Sequence, residues 1–451
     1  MNLKNTRISI NGKTAKQLQN SFISSFRQWL NDPYIGEILF FAGYILCLGR
    51  AVWVTTMFPY PDSIDKLPIL LGLLLIVLKI LLYDHYKMDF FIKAVIAVLC
   101  SGAVFVSSRY LNVCLWLFIV LGSKDISFQK LLRIYLLVTG TIVLLAFLSS
   151  LIGVIENLQY QTANRGIRNS FGIVFVTDFA AHIFYLTVAY FCLKGPDIRW
   201  YHCIGAAVIA YLVYHYCNAR VDTVSILLTG ILYGIHILLE HTRYAFPHWK
   251  QFWNKTWQGL GPFLMPIFAG FSIMVTAFYK EENRLLAWIN EISSNRLDLG
   301  LRGIKEYGIT FFGQSIEMIG GGGTTEQTSE YFFVDCSYMH ILLRYGFVFT
   351  IMLIGIYVVC CYKHRNNLYF LFAISLVALN CIIAHHIIEL AYNPFSFILL
   401  ACHDECKNRY LFIAPREQKE QLLWNPVREY RKCKGITTFS DIPLELFLLP
   451  F

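Results

Sequence analysis

Long apolar blocks separated by short polar stretches are the feature of this sequence that most restricts its fold. Blocks of about 20 apolar residues, wound as helices, match the hydrocarbon thickness of a bilayer. Only 15% of the residues are charged and 56% are hydrophobic, whereas a soluble domain carries about 25% charged residues. The sequence therefore predicts an all-α polytopic membrane protein with about twelve transmembrane helices.

The apolar blocks give the approximate bounds of the predicted spans. These are Ile35–Phe58, Ile64–Leu82, Phe90–Val106, Leu111–Gly122, Leu131–Gly153, Phe171–Leu193, Tyr201–Tyr216, Val221–Leu239, Pro262–Phe278, Tyr338–Cys361, Leu368–Ile388 and Phe395–Cys402. The fourth and the last are short, and we expect them to be tilted, broken or re-entrant. Such backbone is tolerated at membrane depth only where protein covers it.

Basic residues concentrate in every second loop between these spans. They are Lys4, Arg7, Lys13, Lys16 and Arg27 before the first span, Lys124, Lys130 and Arg133 after the fourth, Lys194 and Arg199 after the sixth, Arg243, Lys250 and Lys255 after the eighth, and Lys363 and Arg365 after the tenth. Because lysine and arginine are enriched in cytoplasmic loops, this alternation places both termini in the cytoplasm. We therefore predict a cytoplasmic N-terminal segment 1–34, a transmembrane domain 35–402 and a cytoplasmic tail 403–451.

The opposite side of the membrane receives one long connection, the predicted external loop 279–337. Within it, Leu285–Tyr307 is amphipathic, so we expect a helix lying at the membrane interface. A run of glycines, Gly320–Gly323, follows, and we expect it to act as a flexible hinge.

Several other classes of function find no support in the sequence. The formal charge of +9 follows the loop pattern, so it is a topology signal rather than a nucleic-acid surface. The 13 cysteines lie mostly in apolar blocks, and the pair Cys402 and Cys406 lacks the second pair of ligands that a zinc site needs. There is no nucleotide-binding loop, dinucleotide fingerprint or serine elbow. The polar, basic N-terminal stretch predicts no cleavable signal peptide, and we expect neither metal nor cofactor.

Arginines on the predicted external side are the first clue to chemistry. They are Arg165, Arg168, Arg220, Arg296 and Arg302. The positive-inside rule disfavours them there, and the planar guanidinium fork suits phosphate and carboxylate groups. A cluster around a cavity would bind a diphosphate, although lipid headgroups or nearby carboxylates are the alternative partners. Arg50, inside the first span, is interpreted as a satisfied internal ion partner.

Acidic and imidazole side chains at the same side are the second clue. Asp335 lies at the start of the tenth span, and His386 and Glu389 are three apart, which would place them on one helix face. Asp178 and His182, four apart, form a similar predicted pair. Such groups are candidates for a general base or for hydrogen bonds to sugar hydroxyls, and structural salt bridges with the arginines are the alternative.

Several short segments occur in a recognisable order. They are Arg168–Gly172, Asn218–Arg220, Asn295–Arg296 with Ile304–Gly313, Val334–Tyr338 with Gly346, and Glu389 with Asn393–Pro394. In order and external placement this set resembles the motifs of Wzy-type polysaccharide polymerases and the related O-antigen ligases. The resemblance covers about half of the chain, from Arg165 to Pro394. Ala219 and Cys336 depart from it, because serine and asparagine are usual at these positions.

The resemblance implies a GT-C-like, metal-independent glycosyltransferase in a bacterial cytoplasmic membrane. Its donor and acceptor would be undecaprenyl-diphosphate-linked oligosaccharides, with membrane lipid, a chain-length regulator and a flippase as possible partners and no nucleic acid. The implied roles fall into three groups. They are diphosphate binding by Arg168, Arg220 and Arg296, proton abstraction by one of Asp335, His386 and Glu389, and further substrate contacts by Arg165, Arg302, Asp178 and Tyr338.

Two rival functions share parts of this pattern. A ligase would move a finished glycan to a different acceptor by the same chemistry. A flippase or other transporter would show internal pseudo-symmetry and would lack a long one-sided loop. An assembly scaffold would leave the external arginines unexplained.

Overall fold

Apolar helices form most of the chain in the computed structural model, which describes residues 33–61, 65–84, 86–162, 166–242, 244–325, 331–397 and 399–402. In chain order the helices are α1 Pro33–Trp53, α2 Leu67–Leu82, α3 Met88–Ser108, α4 Asn112–Gly122, α5 Phe128–Leu151, α6 Val176–Lys194, α7 Trp200–Cys217, α8 Arg220–His241, α9 Pro247–Leu260, α10 Leu264–Ala277, α11 Arg284–Ile292, α12 Arg296–Tyr307, α13 Ser337–Lys363 and α14 Leu368–Asn380. The predicted tail 403–451 and nearly all of segment 1–34 lie outside the described residues, as do Arg165 and Cys406.

The prediction of a helical membrane protein is confirmed. Within the described residues, seven helical segments are long and apolar enough to cross a membrane. They are Tyr34–Trp53, Met88–Ser108, Phe128–Leu151, Val176–Asp197, Arg220–His241, Pro247–Ala277 and Ser337–Lys363. The helices α2, α4 and α14 are apolar but shorter. The predicted number of about twelve spans and the GT-C-like arrangement remain predictions.

The last two predicted spans differ from the structure. Helix α14 ends at Asn380 rather than near Ile388, and Pro394–Ser396 forms a 3-10 turn where a twelfth span was expected. Protein covers this irregular segment, since Asn393 is fully buried and its side-chain amide donates to the Ile387 carbonyl at 2.8 Å. The segment satisfies its polar backbone with neighbouring groups, which is the condition for non-helical chain at membrane depth.

A small β-hairpin is a second departure from the all-α prediction. Strand β1, Gln159–Thr162, pairs with strand β2, Gly166–Asn169, in antiparallel register with Tyr160 opposite Arg168. The hairpin precedes α6, and the buried Arg168 guanidinium donates from Nε to the Cys217 carbonyl at the end of α7 at 2.9 Å. The hairpin therefore fixes one predicted site arginine against the helix bundle.

The amphipathic stretch of the long loop forms two helices rather than one. Helices α11 and α12 are separated by Ser293, Ser294 and Asn295, and the last two adopt φ of 60° and 63°. Asn290 stabilises the break, because its side-chain oxygen accepts hydrogen bonds from the backbone N–H groups of Leu297 and Asp298 at 3.0 and 3.1 Å. This is the role of a helix cap supplied from the preceding helix. Because of this break, Arg296 is the first residue of α12.

Arg50 has the internal ion partner that its sequence position predicted. Its Nη2 atom lies 2.6 and 2.7 Å from the two carboxylate oxygens of Asp65, and its Nε atom lies 3.1 Å from one of them. This bidentate pair joins the end of α1 to the start of α2.

Candidate functional site

A cavity of about 500 Å³ lies where the first residues of α6 and α8 meet the start of α13 and the segment after α14. The break between α11 and α12 and the Gly320–Gly322 backbone complete its wall. Its charged and imidazole lining is formed by Arg168, Arg220, Arg296, Asp178, Asp222, Asp335, His385 and His386. These segments are far apart in the chain, and all of them belong to the ends or loops that the basic-loop pattern assigns to one side.

Arg296 is held by contacts with three neighbouring groups. Its Nε donates to the Ile383 carbonyl at 2.8 Å and its Nη1 to the Ser293 carbonyl at 2.5 Å. Its Nη2 lies 3.3 Å from the Asp335 carboxylate. The guanidinium therefore joins the long loop, the start of α13 and the segment after α14. A charge fixed in this way needs little reorganisation when an anion binds.

Arg168 and Arg220 complete the cationic lining in different ways. Arg168 is buried and anchored to the Cys217 carbonyl. The Arg220 side chain is exposed, and it makes no hydrogen bond or ion pair with any described residue. It is the first residue of α8, and the preceding Ala219 provides no side-chain cap. The partial positive charge of the helix N-terminus adds to the arginine charge at this point.

Asp335 is one of the carboxylates that line the cavity. It pairs with Arg296, and its other oxygen lies 4.0 Å from Nδ1 of His385. Burial raises the pKa of the Asp335 carboxyl, and the Arg296 charge opposes that rise. Burial, with the charges of Arg344 and Arg296, lowers the pKa of His385 to about 4. His385 is therefore neutral at pH 7, and the Asp335 carboxylate has one cationic neighbour, Arg296, among these contacts.

His386 also lines the cavity. Its ring stacks on Tyr392 with centroids 3.9 Å apart, and burial lowers the pKa of His386 well below its ordinary value. Its buried Nδ1 atom makes no hydrogen bond to a described residue. A neutral imidazole can hydrogen-bond a hydroxyl group, but one whose pKa is lowered this far is a weak proton acceptor.

Glu389 does not join these residues, which corrects the predicted helix face shared with His386. The segment His386–Ile388 is a 3-10 turn, and Glu389 follows it outside the cavity lining. Asn112 donates from Nδ2 to Glu389 at 3.4 Å. Burial raises the pKa of the Glu389 carboxyl and the Arg344 charge opposes the rise.

The predicted pairing of Asp178 with His182 is also absent among the described contacts. His182 shares a 2.9 Å hydrogen bond through Nε2 with the Thr55 hydroxyl. The Tyr392 hydroxyl donates to Asp178 instead. The Tyr392 ring lies between His182 and His386, with centroids 4.3 and 3.9 Å away. Asp178 lines the cavity, so it remains a candidate substrate contact, whereas His182 lies behind it.

Two other predicted contacts lie away from the cavity. Arg302 is exposed and pairs through Nε with Glu306 at 2.7 Å. Tyr338 is fully buried, and its hydroxyl donates to the Ala378 carbonyl at 2.8 Å. Both residues are thus engaged elsewhere, and Arg165 is outside the described residues.

The cavity also contains residues that the sequence did not single out. Asp222 is buried and accepts a 3.1 Å hydrogen bond from the Asn380 amide. Tyr331 and Phe333 line the cavity, whereas Phe332 between them is buried and stacks on Tyr307. This alternation is that of an extended chain, in which every second side chain faces the same way. The shared orientation of Tyr331 and Phe333 could therefore have been predicted from their spacing.

Comparison of the chain with protein families, with curated proteins and with solved structures found no match. Among the described residues, no group of three or more His, Cys, Asp or Glu side chains is arranged to hold a metal ion. Among the described residues, the apolar helices enclose a polar cavity whose lining includes three arginines.

Proposed function

We propose that this protein polymerises undecaprenyl-diphosphate-linked oligosaccharide repeat units by glycosyl transfer at the outer face of a bacterial cytoplasmic membrane. The observation that carries the proposal is the convergence of Arg168, Arg220 and Arg296 on one cavity that also holds Asp335. Three arginines suit the charge of a lipid diphosphate. The order of motifs along the sequence supports the same function.

The reaction requires one displacement at a sugar carbon. The acceptor hydroxyl oxygen attacks the anomeric carbon of the donor, and the bond between that carbon and the diphosphate oxygen breaks. The electron pair of that bond leaves with the lipid diphosphate, and the hydroxyl proton passes to a base. The arginines stabilise the charge that develops on the leaving diphosphate, and fixed charges of this kind contribute most when they are held in advance. A single displacement inverts the configuration of the anomeric carbon.

Asp335 is the base that the geometry favours among the three predicted candidates. It lines the cavity beside Arg296, and burial raises the pKa of its carboxyl towards the working pH. A base is most effective when its pKa lies near the pH at which it acts. His386 also lines the cavity, but its Nδ1 atom is buried and its pKa is lowered well below the ordinary value, so it is the weaker candidate. Glu389 lies outside the lining, so it is not placed to contact a substrate in the cavity.

Elongation by the purified full-length protein in lipid nanodiscs tests the proposal. The only substrate supplied is the lipid-linked repeat unit of the source organism, so a polymerase yields a ladder of longer lipid-linked chains. We expect wild type to produce that ladder and Arg296→Ala to lose about 100-fold or more in rate, as for the loss of one key charge-stabilising donor. Arg284→Ala is the matched control, since Arg284 lies in the same loop, is exposed and is absent from the cavity lining.

The rival functions give different outcomes in the same assay. A ligase leaves single repeat units unchanged until a second, different acceptor is added. A transporter gives no elongation under either condition, but it moves the labelled lipid-linked repeat unit between the leaflets of a sealed vesicle. Either result would replace polymerisation as the function of this cavity.

A further inference from the structure

An apolar groove of about 170 Å³ lies beside the polar cavity. One wall is a stripe along α10 that includes Ser272, Val275 and Thr276, and the other includes Ile289 and Ile292 of α11. Most of the exposed surface of this lining is apolar. A cavity of about 150 Å³ with apolar walls stays dry and binds a hydrocarbon such as benzene. The groove therefore has room for hydrocarbon on the order of one isoprene unit.

The groove and the polar cavity meet at Arg296. Three residues, Ile292, Arg296 and Ile383, belong to the linings of both spaces. The guanidinium is held at this junction by the Ile383 and Ser293 carbonyls. A molecule that placed an anionic group against Arg296 could extend polar groups into the cavity and a hydrocarbon chain into the groove.

The groove opens towards the expected position of the membrane lipid tails. Phe271 and Ile292, which line the groove, are 49% and 50% exposed. On the neighbouring face of α10, Ile267 and Met274 are also about half exposed. Because Pro247–Ala277 is long and apolar enough to cross a membrane, its exposed apolar face adjoins lipid tails.

We propose that the groove between α10 and α11 binds the first isoprenoid segment of the donor lipid, next to its diphosphate, while Arg296 contacts that diphosphate. This inference rests on the proposed function, since it names where the carrier of the same substrate lies. The charge of Arg296 at the groove end favours a lipid phosphate over a neutral lipid. Because the groove and the cavity meet at Arg296, the reacting sugar would lie on the cavity side of the arginine.

Photocrosslinking tests the occupant without requiring catalysis. The full-length protein carries p-benzoylphenylalanine in place of Val275, or in place of the lipid-facing Met274 as control. It is irradiated in nanodiscs that contain phospholipid and a small fraction of undecaprenyl diphosphate. We expect position 275 to be enriched at least fivefold over position 274 in adducts with undecaprenyl diphosphate. Adducts with phospholipid alone at position 275 would make the groove a site for structural lipid and would overturn the inference.

A kinetic comparison tests the same groove through substrate preference. The two donors carry the same oligosaccharide diphosphate, one on a polyprenyl chain and one on a methyl group. In Val275→Trp the indole fills the groove, so we expect the ratio of kcat/KM for polyprenyl to methyl donor to fall at least tenfold. Met274→Trp adds the same bulk outside the groove and should leave the ratio within twofold.

The two experiments separate a failure of the inference from a failure of the proposed function. Wild-type elongation combined with an unchanged donor ratio in Val275→Trp would overturn the groove assignment and leave polymerisation standing. Undecaprenyl diphosphate adducts at position 275 without any elongation would support the groove and remove polymerisation. An equal loss on both donors in Val275→Trp would indicate damage to the fold rather than to the tail site, and would also count against the inference.

Discussion

Gly313 of the long loop and Gly346 within α13 are in backbone contact. A Cβ atom on Gly346 would overlap the backbone nitrogen of Gly313, and one on Gly313 would overlap backbone of α13. Gly346 has φ of 84° and ψ of 172°, so it interrupts the helix. The loop enters that interruption, where the Phe347 N–H donates to the Thr310 carbonyl at 2.9 Å. The long loop is thereby fixed to α13, the helix that follows Asp335 of the cavity.

Gly346→Ala should therefore destabilise the protein strongly. The backbone conformation at this residue is essentially restricted to glycine, and the added methyl group has no free space. We expect a loss of about 2–4 kcal/mol, measured by thermal unfolding in detergent. Gly355→Ala is the control on the same helix, because nothing lies within 4 Å of a Cβ at Gly355. Equal melting of the two variants would contradict the role of the backbone contact.

The sequence predicted most of the helices and the cationic part of the site. Helix positions follow from apolar block length, and Arg168, Arg220 and Arg296 were identifiable because basic residues are disfavoured on the predicted external side. All three line the cavity. The sequence could not reveal the contacts that Arg168 and Arg296 make, since these depend on loops that fold back between distant helix ends.

The wrong predictions fall where the sequence stays apolar although the helix has ended. Residues 368–388 are mostly apolar, yet α14 ends at Asn380, whose buried side chain bonds Asp222 and Ser225 of α8. The spacing of His386 and Glu389 places them on one face only in a continuing helix, and the chain forms a 3-10 turn there instead. Asp222 lay inside an apolar block, so only its buried hydrogen bond distinguishes it.

The pH dependence of elongation should report on Asp335 if it is the base. A base must be deprotonated, so activity is lost as pH falls through its pKa. Burial raises the pKa of Asp335, so the loss should occur at a higher pH than about 3.9, the value of an ordinary aspartate. Arg296 lowers that pKa. Arg296→Gln should therefore shift the acid limb of its residual activity to still higher pH.

Arg220→Gln is the control for this shift. Arg220 lines the same cavity, but its charge is not among the causes of the altered Asp335 pKa. It should lower the rate while the acid limb stays in place. If both variants moved the limb equally, or neither did, a group other than Asp335 would set the acid limb.

Tyr338→Phe should affect stability and leave catalysis intact. The variant removes the hydroxyl that donates to the Ala378 carbonyl within the buried core. A hydrogen bond of this kind contributes about 1 kcal/mol, so the melting temperature should fall slightly. KM for the lipid-linked repeat unit should remain within twofold. A large rise in KM at unchanged stability would instead restore the substrate contact that the sequence motif predicted.

Arg302→Ala should have little effect on either property. Arg302 and Glu306 are both about half exposed and form a pair four residues apart on α12. Exposed pairs of this spacing contribute about 0.3–0.5 kcal/mol. Elongation rate and melting temperature are the measurements, and a loss of rate comparable to that of Arg296→Ala would place Arg302 in the substrate path after all.

Lysine substitutions should separate the two kinds of arginine in the cavity. Arg296 directs its N–H groups at the Ile383 carbonyl, the Ser293 carbonyl and Asp335. A lysine ammonium lacks this planar fork and its reach in several directions. Arg296→Lys should therefore lose nearly as much elongation rate as Arg296→Ala. It should also melt earlier, because buried carbonyls lose their donors.

Arg220→Lys should behave differently from Arg296→Lys. Arg220 makes no hydrogen bond to a described residue, so it offers the ligand its charge without a fixed geometry in the protein. A lysine supplies that charge at a similar position, and we expect the rate to stay within about fivefold of wild type with unchanged melting, while Arg220→Ala loses more. Equal losses in Arg220→Lys and Arg296→Lys would mean that the diphosphate requires a guanidinium fork at both positions. In that case the fixed contacts of Arg296 would not explain its importance.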